Sequence, residues 1–250
     1  MNDDDQASSA HIRALLGIRH LILEGVLRPG TRVSEPALAE RLAVSRTPIR
    51  AALIRLNEEG FVEPSPSSGF VVRSFSESDA FDAIQLRGTL EGLAARLGAE
   101  RGVPPDLLEQ MRTRVSRIDE ALAEPAPERD VSTYVQLNDE FHGLLWGAAQ
   151  SPMVKQAIAR LVRLPFAAPN AFTLAQFSLP ALRSNLFYAN HQHRALTDAL
   201  ENREGSRAEA LAREHSQAAA TYLREVLAGR EQTTSGASPS LRLIRKSSGA

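Results

Sequence analysis

The 250-residue sequence contains no cysteine, is 43% apolar, and carries 29 basic and 30 acidic side chains for a net charge of −1. Disulfides and thiolate metal sites are therefore excluded, and no window approaches the eighteen uninterrupted apolar residues of a membrane span. The polar start MNDDDQASSA lacks the basic-then-apolar order of a signal peptide, so a cytoplasmic protein is expected.

The charge is spread unevenly. Residues 10–73 hold 9 basic and 6 acidic side chains, a net of +3, and residues 74–228 hold 16 and 20, a net of −4. A basic segment ahead of an acidic remainder is a mild sign of nucleic-acid binding.

Residues 1–8 read as a disordered head. From Ser9, Ile12, Leu15, Leu16, Ile18, Leu21, Ile22 and Leu23 recur at helical spacing, and Leu27-Arg28-Pro29-Gly30 is a turn. Ser34 is an N-cap, Glu35 suits the helix dipole, and Pro36 falls in the first turn of a short helix with Leu38 and Leu42 inward. Ala43-Val44 breaks it. Ser45 then caps a second helix with Pro48 in its first turn. Ile49, Ala52, Leu53 and Leu56 form its buried face, Arg46, Arg50 and Arg55 lie off that face, and Glu59-Gly60 is its stop. Phe61–Glu63 and Gly69–Val72 read as two strands around a Pro/Ser turn, a β-wing. The first domain is thus a winged helix-turn-helix over residues 9–74.

From Ser76 the pattern is helical, with helices expected at 77–101, 105–123, 129–149, 152–164, 180–203 and 206–228 and an irregular stretch at 165–180. The fold class is mainly α: the winged helix-turn-helix, then an all-α six- or seven-helix bundle over residues 75–228. Residues 229–250, rich in Ser, Thr, Gly and Pro, read as a disordered tail.

A helix of this size fits the DNA major groove with its N-terminal residues at the base edges. Arg46 and Arg50, four apart, share the entering face, Arg55 is a further candidate DNA contact on the same helix, and Ser45 and Thr47 can donate to phosphates. Gly69 at the wing tip would let the backbone approach the minor groove. The bland alternative is a solvated basic face comprising Arg46, Arg50 and Arg55.

Pro29-Gly30, Ser34-Glu35, Leu38-Ala39, Leu42, Ser45-Arg46-Thr47-Pro48, Arg50, Ala52-Leu53, Leu56 and Glu59-Gly60 resemble the winged-helix domain of GntR-type transcription regulators. The resemblance implies a homodimer on double-stranded operator DNA, with Arg46 and Arg50 reading bases, Thr47 touching the backbone and Gly69 in the minor groove. Pro36 departs from the family, in which an arginine often follows the glutamate.

The helical part carries His142, His193 and His215 on three different helices, with Asn138 one turn before His142. Three imidazoles and an oxygen suffice for a divalent cation, although a lone histidine on an apolar face is more often a core residue. Arg87-xxx-Glu91, Phe141-His142-xx-Leu145, His193-xx-Leu196-xx-Ala199-Leu200 and Ala210 before His215 resemble the FCD ligand-binding domain of the FadR-like branch. That resemblance implies a zinc, nickel or manganese ion on Asn138, His142, His193 and His215, with asparagine replacing the commoner aspartate. It also implies an organic-acid effector. Arg87 is a candidate clamp for the effector's carboxylate, or else the salt-bridge partner of Glu91.

Three functions compete: an effector-responsive transcription regulator, most simply a repressor; a three-histidine metal hydrolase with Glu140 as the nearby acid; and a DNA-binding protein without an effector. The hydrolase leaves the winged helix unexplained, and the third reading keeps the helical domain for dimerisation alone.

Overall fold

The computed structural model describes residues 3–123, 131–164, 166–171, 182–229 and 239–245. They fall into two compact units, Met1–Asp79 with Pro239–Ala250, and Ala80–Ser238.

In the first unit α1 (Asp3–Leu23), α2 (Glu35–Leu42) and α3 (Arg46–Glu58) precede β1 (Val62–Pro64) and β2 (Phe70–Val72). Helix α1 begins six residues before the expected start at Ser9. Its buried stripe is narrower than the sequence pattern: Ala14, Ile18, Leu21 and Ile22 are buried, whereas Ile12 and Leu16 are exposed. Ser34 caps α2 by accepting from the Ala37 N–H, and Ala43 ends α2 in the left-handed region at φ 51°. Ile49, Ala52, Leu53 and Leu56 of α3 close the core, as expected. β1 and β2 are antiparallel with Val62 opposite Val72, and residues 30–33 bond to the outer side of β2.

The tail departs most from expectation. Residues 230–238 and 246–250 lie outside the described residues, but α10 (Pro239–Arg242) is helical and the chain continues in order to Arg245. Leu241, Leu243 and Ile244 are each at most 4% exposed. The Phe75 N–H donates to the Leu243 carbonyl and the Arg245 N–H to the Phe75 carbonyl, while Arg242 reaches the Leu23 carbonyl and Glu24. Composition averaged three aliphatic residues into a polar segment, so their burial was missed.

The second unit continues α4 (Glu77–Arg101) and adds α5 (Pro105–Ala123), α6 (Ser132–Ala148), α7 (Pro152–Leu161), α8 (Leu182–Glu201) and α9 (Gly205–Gly229). The Ser76/Asp79 pair caps α4 reciprocally: Asp79 accepts from the Ser76 N–H and Ser76 Oγ from the Asp79 N–H. Helices α4 and α5 match the expected limits to the residue. The break at 124–127 and most of the irregular stretch lie outside the described residues. Helix α5 packs on α6 and α8, and α8 on α9. The core between them includes Met111, Val115, Phe141, Leu145, Leu196 and Leu200. No described helix is long and apolar enough to cross a membrane.

Candidate nucleic-acid interface and metal centre

The first site is a groove between α2, α3 and the wing. It encloses about 720 Å³ and is lined by Arg32, Arg46, Arg50, Ile54 and Gly69 among others. Arg46 and Arg50 are exposed on α3, and among the described residues neither has an ion-pair partner. Ser45 holds the N-cap position without a side-chain bond, which leaves first-turn N–H groups of α3 free for an anion. Ser45 and Thr47 are exposed beside the groove rather than lining it. Arg55 is held elsewhere: its guanidinium pairs with Glu58 at 2.9 Å and Glu59 at 3.2 Å, and it does not line the groove. Gly69 has φ +78°, a conformation strained for any side chain.

Arg32 was missed in the sequence. It donates to the carbonyls of Ser67 and Ser68 at 3.2 and 3.0 Å, and so holds the wing tip. Its partners lie 35 and 36 residues away, and no local pattern marks them.

The second site is inside the helical unit. His142 on α6, His193 on α8 and His215 on α9 converge, with ring centroids 4.6–5.5 Å apart. Each can offer one nitrogen such that all three lie within 4.8 Å of one another. His142 and His193 are buried, and His215 is partly so.

The outer partners set which nitrogens face inward. His142 Nδ1 bonds Glu91 Oε1 at 2.8 Å, and His142 Nε2 is buried without a partner. His215 Nδ1 bonds Gln192 Oε1 at 2.9 Å. Each Nδ1 therefore donates, and each Nε2 presents a lone pair inward. His193 Nε2 lies 3.2 Å from His215 Nε2. Burial, then the neighbouring rings, pushes His193 well below the ordinary histidine range, and burial pushes His215 down to about 3. Both rings are thus neutral imidazoles; His193 Nδ1 has no partner, so its N–H lies at Nε2 toward His215 Nε2, and with that proton shifted to Nδ1 the three nitrogens form a donor set that fits a divalent cation.

Glu91, legible in the sequence only beside Arg87, is the central residue of the site. It is 1% exposed and accepts from His142, from Trp146 Nε1 at 2.8 Å and from Ser216 Oγ at 3.3 Å. Burial pushes its carboxyl up, but His142 and Arg87 outweigh burial and hold it below the usual carboxylate range. Gly88 makes this possible: a Cβ there would lie 2.7 Å from Ser216 Cβ, so only glycine lets α9 come this close.

Arg87 meets the salt-bridge reading. Its Nε lies 3.6 Å from Glu91 Oε2, its Nη1 donates to the Ala167 carbonyl at 3.3 Å, and it also lines a cavity of about 40 Å³ with Tyr134, Asn138, His215 and Tyr222. That volume suits a water or a carboxylate group. Asn138 is buried at this cavity. Its amide donates to Asn170 Oδ1 at 3.0 Å, and its carbonyl accepts from the Tyr134 hydroxyl at 3.4 Å. Asp139 faces outward and accepts from Asn170. Glu140 pairs with Arg114 at 3.0 Å and accepts from Gln136. His191 is exposed.

Residues 12–72 match the family model for bacterial regulatory proteins of the gntR family, and residues 82–218 match the FCD domain. Over 124 residues the chain is 36% identical to the Nta operon transcriptional regulator of Aminobacter aminovorans, an alignment covering 50% of this chain and 56% of that protein, less than two thirds of its length. It is 31% identical over 183 residues to a probable D-xylose utilization operon transcriptional repressor of Paenarthrobacter nicotinovorans, covering 72% of this chain and 74% of that one. Among solved structures, Escherichia coli McbR/YncC shares the fold with a TM-score of 0.62 at 20% identity, over 86% of this chain and 97% of that one.

Proposed function

The chain belongs to the GntR family of bacterial regulatory proteins and carries an FCD domain; on that premise we propose that it is a homodimeric transcription repressor whose operator binding is set by a metal-assisted effector site in its helical domain. Arg46 and Arg50 read base edges in the major groove, the free N–H groups of α3 take a phosphate, and Gly69 brings the wing to the minor groove. The repressor sense follows the Paenarthrobacter relative's description.

The observation that carries the regulatory half is the convergence of three imidazoles whose outer nitrogens, at His142 and His215, are held by Glu91 and Gln192. His142, His193 and His215 would hold a zinc, nickel or manganese ion, with Asn138 as a fourth ligand once its amide turns from Tyr134. Such an ion supplies positive charge for an effector carboxylate. Arg87, whose buried Nε makes no hydrogen bond although it faces Glu91 at 3.6 Å, supplies a second anchor at the same cavity. Effector binding then favours one placement of the paired winged helices, fitting or misfitting a palindromic operator.

A hydrolase would need a free base beside the histidines. Glu140 is engaged by Arg114 and Gln136, and Glu91 already accepts three hydrogen bonds.

Elemental analysis of the purified protein and of His193→Ala tests the centre. The expected result is about one metal per chain in the first and little in the second; equal metal in both removes His193 from the site. Operator affinity measured with and without a chelator then tests whether the ion matters for regulation.

A further inference from the structure

Ile54 lies on α3 with its side chain 52% exposed, one turn beyond Arg50 and two beyond Arg46. The face of α3 that supports the fold is Ile49, Ala52, Leu53 and Leu56, so the core has no use for an aliphatic group at position 54. The side chain instead lines the same groove as Arg46 and Arg50. Pro36, also exposed, adds apolar surface across that groove.

We propose that Ile54 is a sequence-reading residue that packs on the C5-methyl of a thymine in the operator's major groove. The thymine methyl is the one apolar group that base edges present there. Isoleucine has no donor or acceptor to offer, and packing it on cytosine would cover an N4 amine without a partner, so thymine is selected by attraction and cytosine is penalised. Arg46 and Arg50 carry fork donors suited to guanine, so one helix face would read guanine at its entering end and thymine further along. The assignment rests on the reading that this face of α3 enters the major groove.

The test uses the full chain and a duplex selected by it from a random pool. Each thymine of that duplex is replaced in turn by deoxyuridine, which removes only the methyl. One position per half-site is expected to weaken the wild-type complex about three- to fivefold. Ile54→Ala removes the contact in both half-sites, so it should weaken the thymine duplex by about the square of that factor, roughly ten- to twenty-five-fold, and be blind to deoxyuridine at that position. A flat deoxyuridine scan, or an Ile54→Ala protein that keeps the full deoxyuridine penalty, overturns the assignment. Arg50→Ala separates the two readings. Loss of binding by Arg50→Ala with a flat scan removes Ile54 alone, whereas unchanged binding by Arg50→Ala removes the placement of α3 and Ile54 with it.

Discussion

Arg46 and Arg50 stand exposed on α3 without ion-pair partners among the described residues, whereas Glu91, His142, His193 and His215 touch one another or share a neighbour inside the helical unit. The first site is a set of independent groups whose chemistry is their own and whose position comes from one helix. The second is a coupled set in which each ring's useful nitrogen is chosen by a partner on another helix. Exposed cations are expected to alter binding without altering stability. Buried coupled groups are expected to alter both, and not additively.

The largest effect tests the first half of that contrast. Arg50→Ala should weaken operator binding on the order of a thousandfold, as two copies in a dimer at about 2 kcal/mol each. Its melting temperature should stay that of wild type; a large drop would show that Arg50 also holds the fold.

Next is the docked tail. Leu243 is fully buried, and Leu243→Ala should cost about 2–3 kcal/mol in urea unfolding of the first unit. Metal content should be unchanged. An unaltered transition would mean that residues 239–245 add nothing to that unit's stability.

Glu91→Gln should lower metal affinity about tenfold to a hundredfold, because His142 loses the carboxylate that fixes its ring. In a double-mutant cycle with His142→Ala the two losses should overlap; strict additivity would break the picture of a coupled site.

The smallest effect is at the α4 cap. Hydrogen bonds from Ser76 hold the Asp79 carboxyl below its ordinary value. A carboxyl with a lowered folded value stabilises above its unfolded value of about 3.9, and that contribution is lost as pH falls. Asp79→Asn should therefore lower the melting temperature slightly at pH 7, with the difference from wild type narrowing as pH falls below about 3.9. A difference that stays constant as pH falls from 7 to 2 would mean that the carboxylate charge is not what stabilises the cap.

The features legible from the sequence were those with short-range causes. The limits of α4 and α5, the buried face of α3 and the turn at Ala43 follow from apolar period, caps and breakers within a few residues of each. His142, His193 and His215 were legible as residue types on three helices. Glu91 was visible only as an i,i+4 partner of Arg87, because His142, Trp146 and Ser216 lie 51, 55 and 125 residues away. Arg32 holds the wing tip and Asn138 reaches Asn170 through separations of the same long-range kind.

By itself the chain's order of residues determined α2 to α5, the wing, the exposed Arg46 and Arg50 and which histidines stand available, since each depends on local periodicity and side-chain chemistry. Only the tertiary structure decided that Leu241, Leu243 and Ile244 are core rather than tail, and that Glu91 orients His142. Those outcomes depend on which groups are brought out of water together, and burial is a property of the packed chain rather than of any one stretch of it.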